Sequence, residues 1–334
     1  MSRIAFVSAK VAANNTHENS EKQQYGRRIM ASEGLKQVLE LLAAAPIAEG
    51  EKTVQEQRDG MVAATAAFPV AEGAIIEPVT ANGVPGEWVS MPGASDKHAV
   101  LYLHGGGYVI GSPITHRSLS AAIAGETNSK LLVIDYRMGP EHACPAAIDD
   151  AVAAYQFLLD QGYDAANIAI SGDSAGGGLT MATLVALRDK GIALPAAAAP
   201  ISPWVDLTGN SPTLVSRADV DPMVQKDGLL QMADHYRGSL ANDDPRVSPL
   251  FADLKGLPPL LIQVGDHETL LGDSEELDKR AKAAGVESTL EIWDEMIHVF
   301  HMFHFMMPEA AEANRRIGEF FRTKWGVAAA NAAE

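Results

Sequence analysis

From residue 98 onward the chain alternates short apolar runs with longer stretches of helical periodicity, and this alternation constrains its fold most strongly. HAVLYLH (98–104), KLLVIDY (130–136), NIAISG (167–172), AAAAPIS (196–202), PLLIQVG (259–265) and STLEIWD (288–294) read as strands. Helical patterns lie near 146–160, 175–189, 272–284 and 308–324. Strands separated by helices of roughly 10–15 residues predict a mainly parallel sheet with helices on both faces, an α/β architecture. The central strands are apolar throughout, as strands buried on both faces must be.

Two strand signals precede the alternation, AIIEPV (74–79) and GEWVSMP (86–92), and two helical patterns precede those. The first runs from Glu18 to Ala45, where Pro46 ends it, and the second spans about 53–67. Residues 203–250 break the rhythm with polar, proline-punctuated sequence. An insertion of this length is expected to form a binding element or lid. The expected organisation is therefore an N-terminal helical cap segment (1–67), a first core part (68–202), an inserted cap segment (203–250) and a second core part (251–334).

Composition narrows the function classes. A net charge of −17 over 334 residues opposes nucleic-acid phosphates and anionic membrane surfaces alike. No stretch approaches the roughly 18 apolar residues a membrane span requires. Lys10 interrupts the apolar run that would otherwise suggest a signal peptide, and Cys144 is the one cysteine, so no intrachain disulfide can form. The expectation is a soluble cytoplasmic protein without stable membrane association. Cys144 lies between Ala143 and Pro145 with no basic pattern around it, which disfavours a nucleophilic thiol.

The segment IAISGDSAGGGLTMA (168–182) begins as a strand and ends as a helix, with Gly172-Asp173-Ser174-Ala175-Gly176 reversing the chain between them. In open α/β sheets ligands bind beyond the carboxyl ends of the strands, where this turn falls. G-x-S-x-G is the pattern of a nucleophile elbow: the strained turn lifts the Ser174 oxygen clear, and small neighbours avoid collision with adjacent chain. The helix that follows directs amide dipoles at developing negative charge. The plainer reading is a glycine-rich turn with a capping serine.

A second signal follows strand 98–104: His104-Gly105-Gly106-Gly107. Successive glycines let the N–H groups of Gly106 and Gly107 converge on one point, with Ala175 supplying a third donor to an oxyanion. No G-K-[ST] follows, which disfavours a phosphate loop. His104, Gly105 and Asp173 are then expected to support the motif, His104 by orienting the loop. A base must lie after the last strand, since chain order in such folds runs serine, acid, histidine. His298, His301 and His304 qualify, and His298 is nearest the end of strand 288–294. For the acid, GDHETLLGD offers Asp266 and Glu268 on nearly equal terms, while Asp273 falls inside the next helix.

Together HGGG (104–107), GDSAG (172–176) and DYRMGPEHACPAAIDD (135–150) resemble the hormone-sensitive-lipase-like esterases, bacterial family IV, over roughly Val100 to Phe300. The resemblance implies an α/β-hydrolase fold with a helical cap, and carboxylic ester hydrolysis with no metal and no cofactor. It implies short- to medium-chain acyl substrates and a possible homodimer through the sheet edge near strand 288–294. It places the acid at Glu268, although aspartate is commoner there, so Asp266 stands as the alternative. Cys144 also departs from the family, in which a bulky residue is frequent. The Asp, Arg and Glu residues of segment 135–150 are expected to be structural, forming a buried polar network that supports the oxyanion loop. An amidase or lactonase with the same residues is the runner-up, because a triad does not dictate its leaving group. A non-catalytic ligand receptor of this family would lack the histidine that His298 supplies.

Overall fold

A computed structural model describes residues 32–44 and 52–327. The helical pattern over 18–31, its stop at Pro46 and the alanine-rich end after 327 lie outside the described residues. Eight strands form one sheet: β1 (Ile75–Ala81), β2 (Val84–Ser90), β3 (Ser95–Leu103), β4 (Ser129–Ile134), β5 (Ile168–Asp173), β6 (Ala197–Ile201), β7 (Leu260–Gly265) and β8 (Ser288–Trp293). Their spatial order is β1-β2-β4-β3-β5-β6-β7-β8. From β4 to β8 every pairing is parallel, whereas β2 runs antiparallel to both β1 and β4. Asn82 and Gly83 turn the β1–β2 hairpin, both with positive φ (47° and 92°). An Asn-Gly pair suits such a two-residue turn because neither residue resists the left-handed region strongly.

The helices among the described residues are α1 (Glu33–Ala44), α2 (Val54–Thr65), α3 (Arg117–Thr127), α4 (Ala146–Asp160), α5 (Ala175–Asp189), α6 (Thr213–Ser216), α7 (Lys226–Arg237), α8 (Leu271–Ala283) and α9 (Pro308–Lys324). Two apolar clusters cover the two faces of the sheet. One joins the alternate side chains Leu101, Leu103, Ile168 and Ile170 to α4, α5 and α8. The other joins Val100, Tyr102, Leu131 and Val133 to α1, α3 and α9. Alternate residues of one strand thus enter opposite cores, which is why the central stretches of these strands, such as Ala99–Leu103 and Leu131–Ile134, carry apolar residues in succession.

α3 has no counterpart in the sequence reading. Its Leu119, Ile123 and Ala124 recur at helical spacing and are fully buried, but interleaved serines (Ser118, Ser120) blur the apolar stripe. Asn128, at φ 51°, closes the helix in the left-handed conformation.

Register positions the functional residues. Leu103 of β3 pairs with Gly172 of β5, Asp173 of β5 with Ile201 of β6, and Ile201 with Gln263 of β7. The residues just beyond these strand ends (His104, Ser174 and Ser202) therefore emerge side by side at the carboxyl edge.

Candidate active site

Ser174 occupies the turn between β5 and α5 with φ 54° and ψ −119°. A non-glycine residue held there costs about 1–3 kcal/mol. Three main-chain bonds hold the turn: Ser174 N–H donates to Ile201 O (2.8 Å), and Ser174 O accepts from Trp204 N–H (2.9 Å) and Gly178 N–H (3.0 Å). The flanking glycines have a steric cause. A Cβ on Gly172 would meet the main-chain oxygens of Gly176 and Leu103, and one on Gly176 would meet Leu103 O. The elbow can therefore sit against β3 only if both positions lack side chains.

His298 follows β8. Its Nε2 lies 3.0 Å from Ser174 Oγ, and its Nδ1 lies 2.8 Å from Glu268 Oε2. Both His298 and Glu268 are buried. Glu268 Oε1 accepts hydrogen bonds from Ser202 Oγ (2.9 Å) and from Gly265 N–H. With donors at one oxygen, the other is left to accept from His298 Nδ1–H, so Nε2 presents a lone pair to the serine hydroxyl. Burial pushes the imidazole toward neutrality, but the hydrogen bond and charge of Glu268, with Asp221 and Asp173 beyond, outweigh it and raise the His298 pKa above its ordinary 6.5.

The structure brings Ser174, His298 and Glu268 together and leaves the other candidates apart. Asp266 Oδ1 instead accepts the Glu295 N–H at 2.7 Å. Asp273, at the start of α8, accepts from the N–H groups of Val205 and Asp206, and burial raises its pKa to about 8. His301 faces Gln263 Oε1 at 2.9 Å and is pushed down to about 3 by burial. His304 lies 3.1 Å from Ser118 Oγ.

The glycine loop lies against the elbow. Gly106 and Gly107 take φ values of 116° and 62°, and a Cβ on Gly106 would strike Ile110 O. Among the described residues, no protein acceptor takes the N–H of Gly106, Gly107 or Ala175. Gly105 N–H, in contrast, turns back to Asp173 Oδ1 (3.2 Å) and His116 Nε2 (3.3 Å). Asp173 also accepts from Tyr102 Oη at 2.8 Å. His104 stacks on Tyr136 with ring centroids 4.2 Å apart, and its Nδ1 reaches Gly105 O at 2.8 Å. Burial, followed by the neighbouring His116, lowers its pKa to about 3. His104 thus remains neutral and braces the loop. The sequence reading missed His116, which lies outside the motif and reaches the loop only through the fold.

The buried polar network expected in segment 135–150 needs correction. Asp135, Arg137, Glu141 and Asp149 are exposed and Asp150 alone of its acidic residues is buried, while Tyr136 lies against the loop with its Oη donating to His104 O at 2.7 Å. Arg137 pairs with the buried Asp150 (2.7 Å), and Glu141 pairs with Arg58 of α2 (2.7 Å). Support for the loop comes through Arg58, whose Nε donates to Val109 O (2.8 Å) and whose Nη2 donates to Gly139 O (3.0 Å).

A cavity of about 240 Å³ opens over Ser174 and His298. Met61 from α2, Met223, Leu229 and Met232 from the 203–250 insertion, and Ile110 and Met302 from the core supply its apolar wall. Met232 packs directly against Gly107. Asp221 ties residues 203–250 to the loop that carries Glu268: it accepts from Thr269 N–H (2.7 Å), next to Glu268, and from Met223 and Val224 N–H (both 2.9 Å). Two larger clefts of about 550 Å³ lie elsewhere, beside Trp88 and Lys130 and beside Phe251 and Arg280, and neither contains a serine–histidine pair. Among the described residues, no three His, Cys, Asp or Glu side chains gather as a metal-ligand set, and no helix is long and apolar enough to cross a membrane.

Residues 100–302 match the family model described as alpha/beta hydrolase fold. The chain is 45% identical over 251 residues to an acetyl-hydrolase of Streptomyces hygroscopicus, covering 74% of this chain and 83% of that protein. It is 37% identical over 254 residues to an esterase of Acinetobacter venetianus, covering 76% and 84%. Among solved structures, an esterase/lipase from an uncultured bacterium superposes with a TM-score of 0.85 at 48% identity, over 89% of this chain and all (100%) of that one. An esterase from the bacterial hormone-sensitive lipase family gives 0.86 at 45%, with the same coverage.

Proposed function

We propose a mechanism from one premise: the chain belongs to the α/β-hydrolase-fold family, among its hormone-sensitive-lipase-like members, and is a carboxylic ester hydrolase. In this reading Ser174 is the nucleophile, His298 the base and Glu268 the acid. The observation that carries it is the continuous chain Ser174 Oγ–His298 Nε2–His298 Nδ1–Glu268 Oε2, with steps of 3.0 and 2.8 Å, at the floor of an apolar cavity.

Nε2 takes the hydroxyl proton as Oγ attacks the ester carbonyl carbon. The carbonyl oxygen gains the negative charge, and the N–H groups of Gly106, Gly107 and Ala175 bind it. Loss of one such donor typically costs about 10²–10³ in rate. Collapse of the intermediate breaks the bond to the alkoxy oxygen, which leaves with the proton from His298, and the acyl group remains on Ser174. A water molecule then gives its proton to His298, attacks the acyl carbon, and releases the carboxylic acid as Oγ recovers a proton. Glu268 keeps Nδ1 protonated and stabilises the imidazolium of each step.

The cavity is smaller than the roughly 300–1,000 Å³ usual for drug-sized ligands, which suits a short acyl chain. The name acetyl-hydrolase, borne by the Streptomyces relative, agrees with that size. The test is a rate profile across p-nitrophenyl esters of increasing acyl length, beside a matched anilide, for the wild type and Ser174→Ala. The reading expects the highest kcat/KM on short esters, much slower anilide turnover, and no turnover above background by Ser174→Ala. Full hydrolysis by Ser174→Ala would overturn it.

A further inference from the structure

Ser202 follows β6 at the carboxyl edge of the sheet, fully buried and not itself among the residues that line the cavity. Its Oγ donates to Glu268 Oε1 at 2.9 Å and accepts the Val299 N–H at 3.2 Å. Val299 is the residue after His298. One hydroxyl therefore joins the carboxylate to the main chain that carries the imidazole. A hydroxyl has one proton, and here it is committed to the carboxylate, which fixes its direction. The backbone reinforces this placement: Ser202 takes φ 42°, in the left-handed region, and its N–H donates to Gln263 O at 2.7 Å. A strained, buried, non-glycine residue maintained at a functional edge points to a role for its side chain.

We propose that Ser202 is a positioning residue of the hydrolytic reaction: by holding Glu268 and the Val299 amide at once, it keeps acid and base in register and limits how much carboxylate charge reaches the imidazole. The proposal rests on the assignment of Ser174, His298 and Glu268 above. Its chemical consequence has a definite sign. A carboxylate that loses a hydrogen-bond donor is less well stabilised by its remaining partners and attracts the imidazolium more strongly. Removing the hydroxyl therefore makes His298 harder to deprotonate. Asp173, Asp221 and His301 also face His298 and are unchanged by the substitution.

The experiment compares Ser202→Ala and Ser202→Gly with the wild type in kcat, KM and the pH profile of p-nitrophenyl ester hydrolysis. Glycine accepts the left-handed backbone, so that variant gives the answer if the alanine protein folds poorly. Loss of a hydrogen bond to a charged group should lower kcat about tenfold to a hundredfold. KM should stay within about twofold, since uniform substrate binding is untouched. The rising limb of the profile should move to higher pH in both variants. Placed in a Glu268→Gln background, Ser202→Ala should cost less than about threefold more, because the two residues act as one unit. Wild-type kcat and an unmoved limb in the folded variants would overturn the inference alone. So would a kcat loss that leaves the limb in place and persists undiminished in the Glu268→Gln background, since that marks a packing defect. Full turnover by Glu268→Gln itself would overturn the acid assignment, and this inference with it.

Discussion

Glu268→Gln offers a sharp perturbation because it changes no heavy-atom positions yet reverses one hydrogen bond. Both groups at Oε1 of Glu268 are donors, the Ser202 hydroxyl and the Gly265 N–H. In the glutamine the carbonyl oxygen must face them, which turns the amide NH₂ toward His298 Nδ1. Nδ1 must then accept, the imidazole proton moves to Nε2, and Nε2 can no longer take a proton from Ser174 at 3.0 Å. Comparable wrong-tautomer substitutions in serine hydrolases cost about 10⁴ in kcat. At 1.36 kcal/mol per tenfold, that is about 5 kcal/mol of transition-state stabilisation. Asp266→Asn is the paired control. Its carbonyl can still accept the Glu295 N–H, so turnover should stay within about threefold of wild type. Initial rates on p-nitrophenyl acetate over a range of concentrations separate kcat from KM, and circular dichroism checks the fold. If Asp266→Asn abolishes turnover while Glu268→Gln retains it, the reasoning fails at the acid.

The raised pKa of His298 predicts that kcat/KM climbs with pH through a midpoint above 6.5, because the imidazole must be neutral to act as base; a midpoint at or below that value in a pH–rate profile contradicts the account. Gly176→Ala places a Cβ against Leu103 O, a main-chain atom of β3 that cannot swing aside. Overpacking of this kind should cost about 1–3 kcal/mol, read as a lowered midpoint in urea denaturation, and unchanged stability would refute the packing argument. The folded Asp273 carboxyl holds its proton to about pH 8, whereas the ordinary value of 3.8 leaves an unfolded aspartate ionised well below that. Its contribution to stability is therefore full below about pH 4 and lost as pH rises toward 8. Asp273→Asn should gain thermal stability relative to wild type across that window, and a constant difference in Tm from pH 4 to 8 would count against the assignment.

Local pattern revealed what depends on neighbours in the chain. The central strands were legible because β-branched and apolar residues run continuously where both faces are buried, and Ser174 and the glycine loop because each motif spans a single turn. The β1–β2 hairpin carried its signal openly in Asn82-Gly83, a pair that the reading passed over. Helix α3 was missed because Ser118 and Ser120 interrupt the apolar stripe, although both are buried in the fold. Sequence pattern left Asp266 and Glu268 level, since two carboxylates two residues apart in one loop differ only in direction, and direction is set by Gly265, Ser202 and His298 from three other places. Ser202, His116 and Arg58 escaped notice for the same reason: each works through partners far away in sequence. Arg137 and Glu141 show the opposite error, where a motif associated with the site was taken to be buried although it pairs at the surface.

A covalent intermediate on Ser174 tests the central claim most directly. Rapid mixing with excess p-nitrophenyl acetate, acid quench and peptide mass spectrometry should find one acetyl group on the peptide carrying Ser174, formed at least as fast as steady-state turnover. The same treatment of Ser174→Ala should yield no adduct and no turnover. Steady hydrolysis by the wild type in which Ser174 never carries the acyl group at a competent rate, or an acyl group that resides on another side chain, would contradict the account.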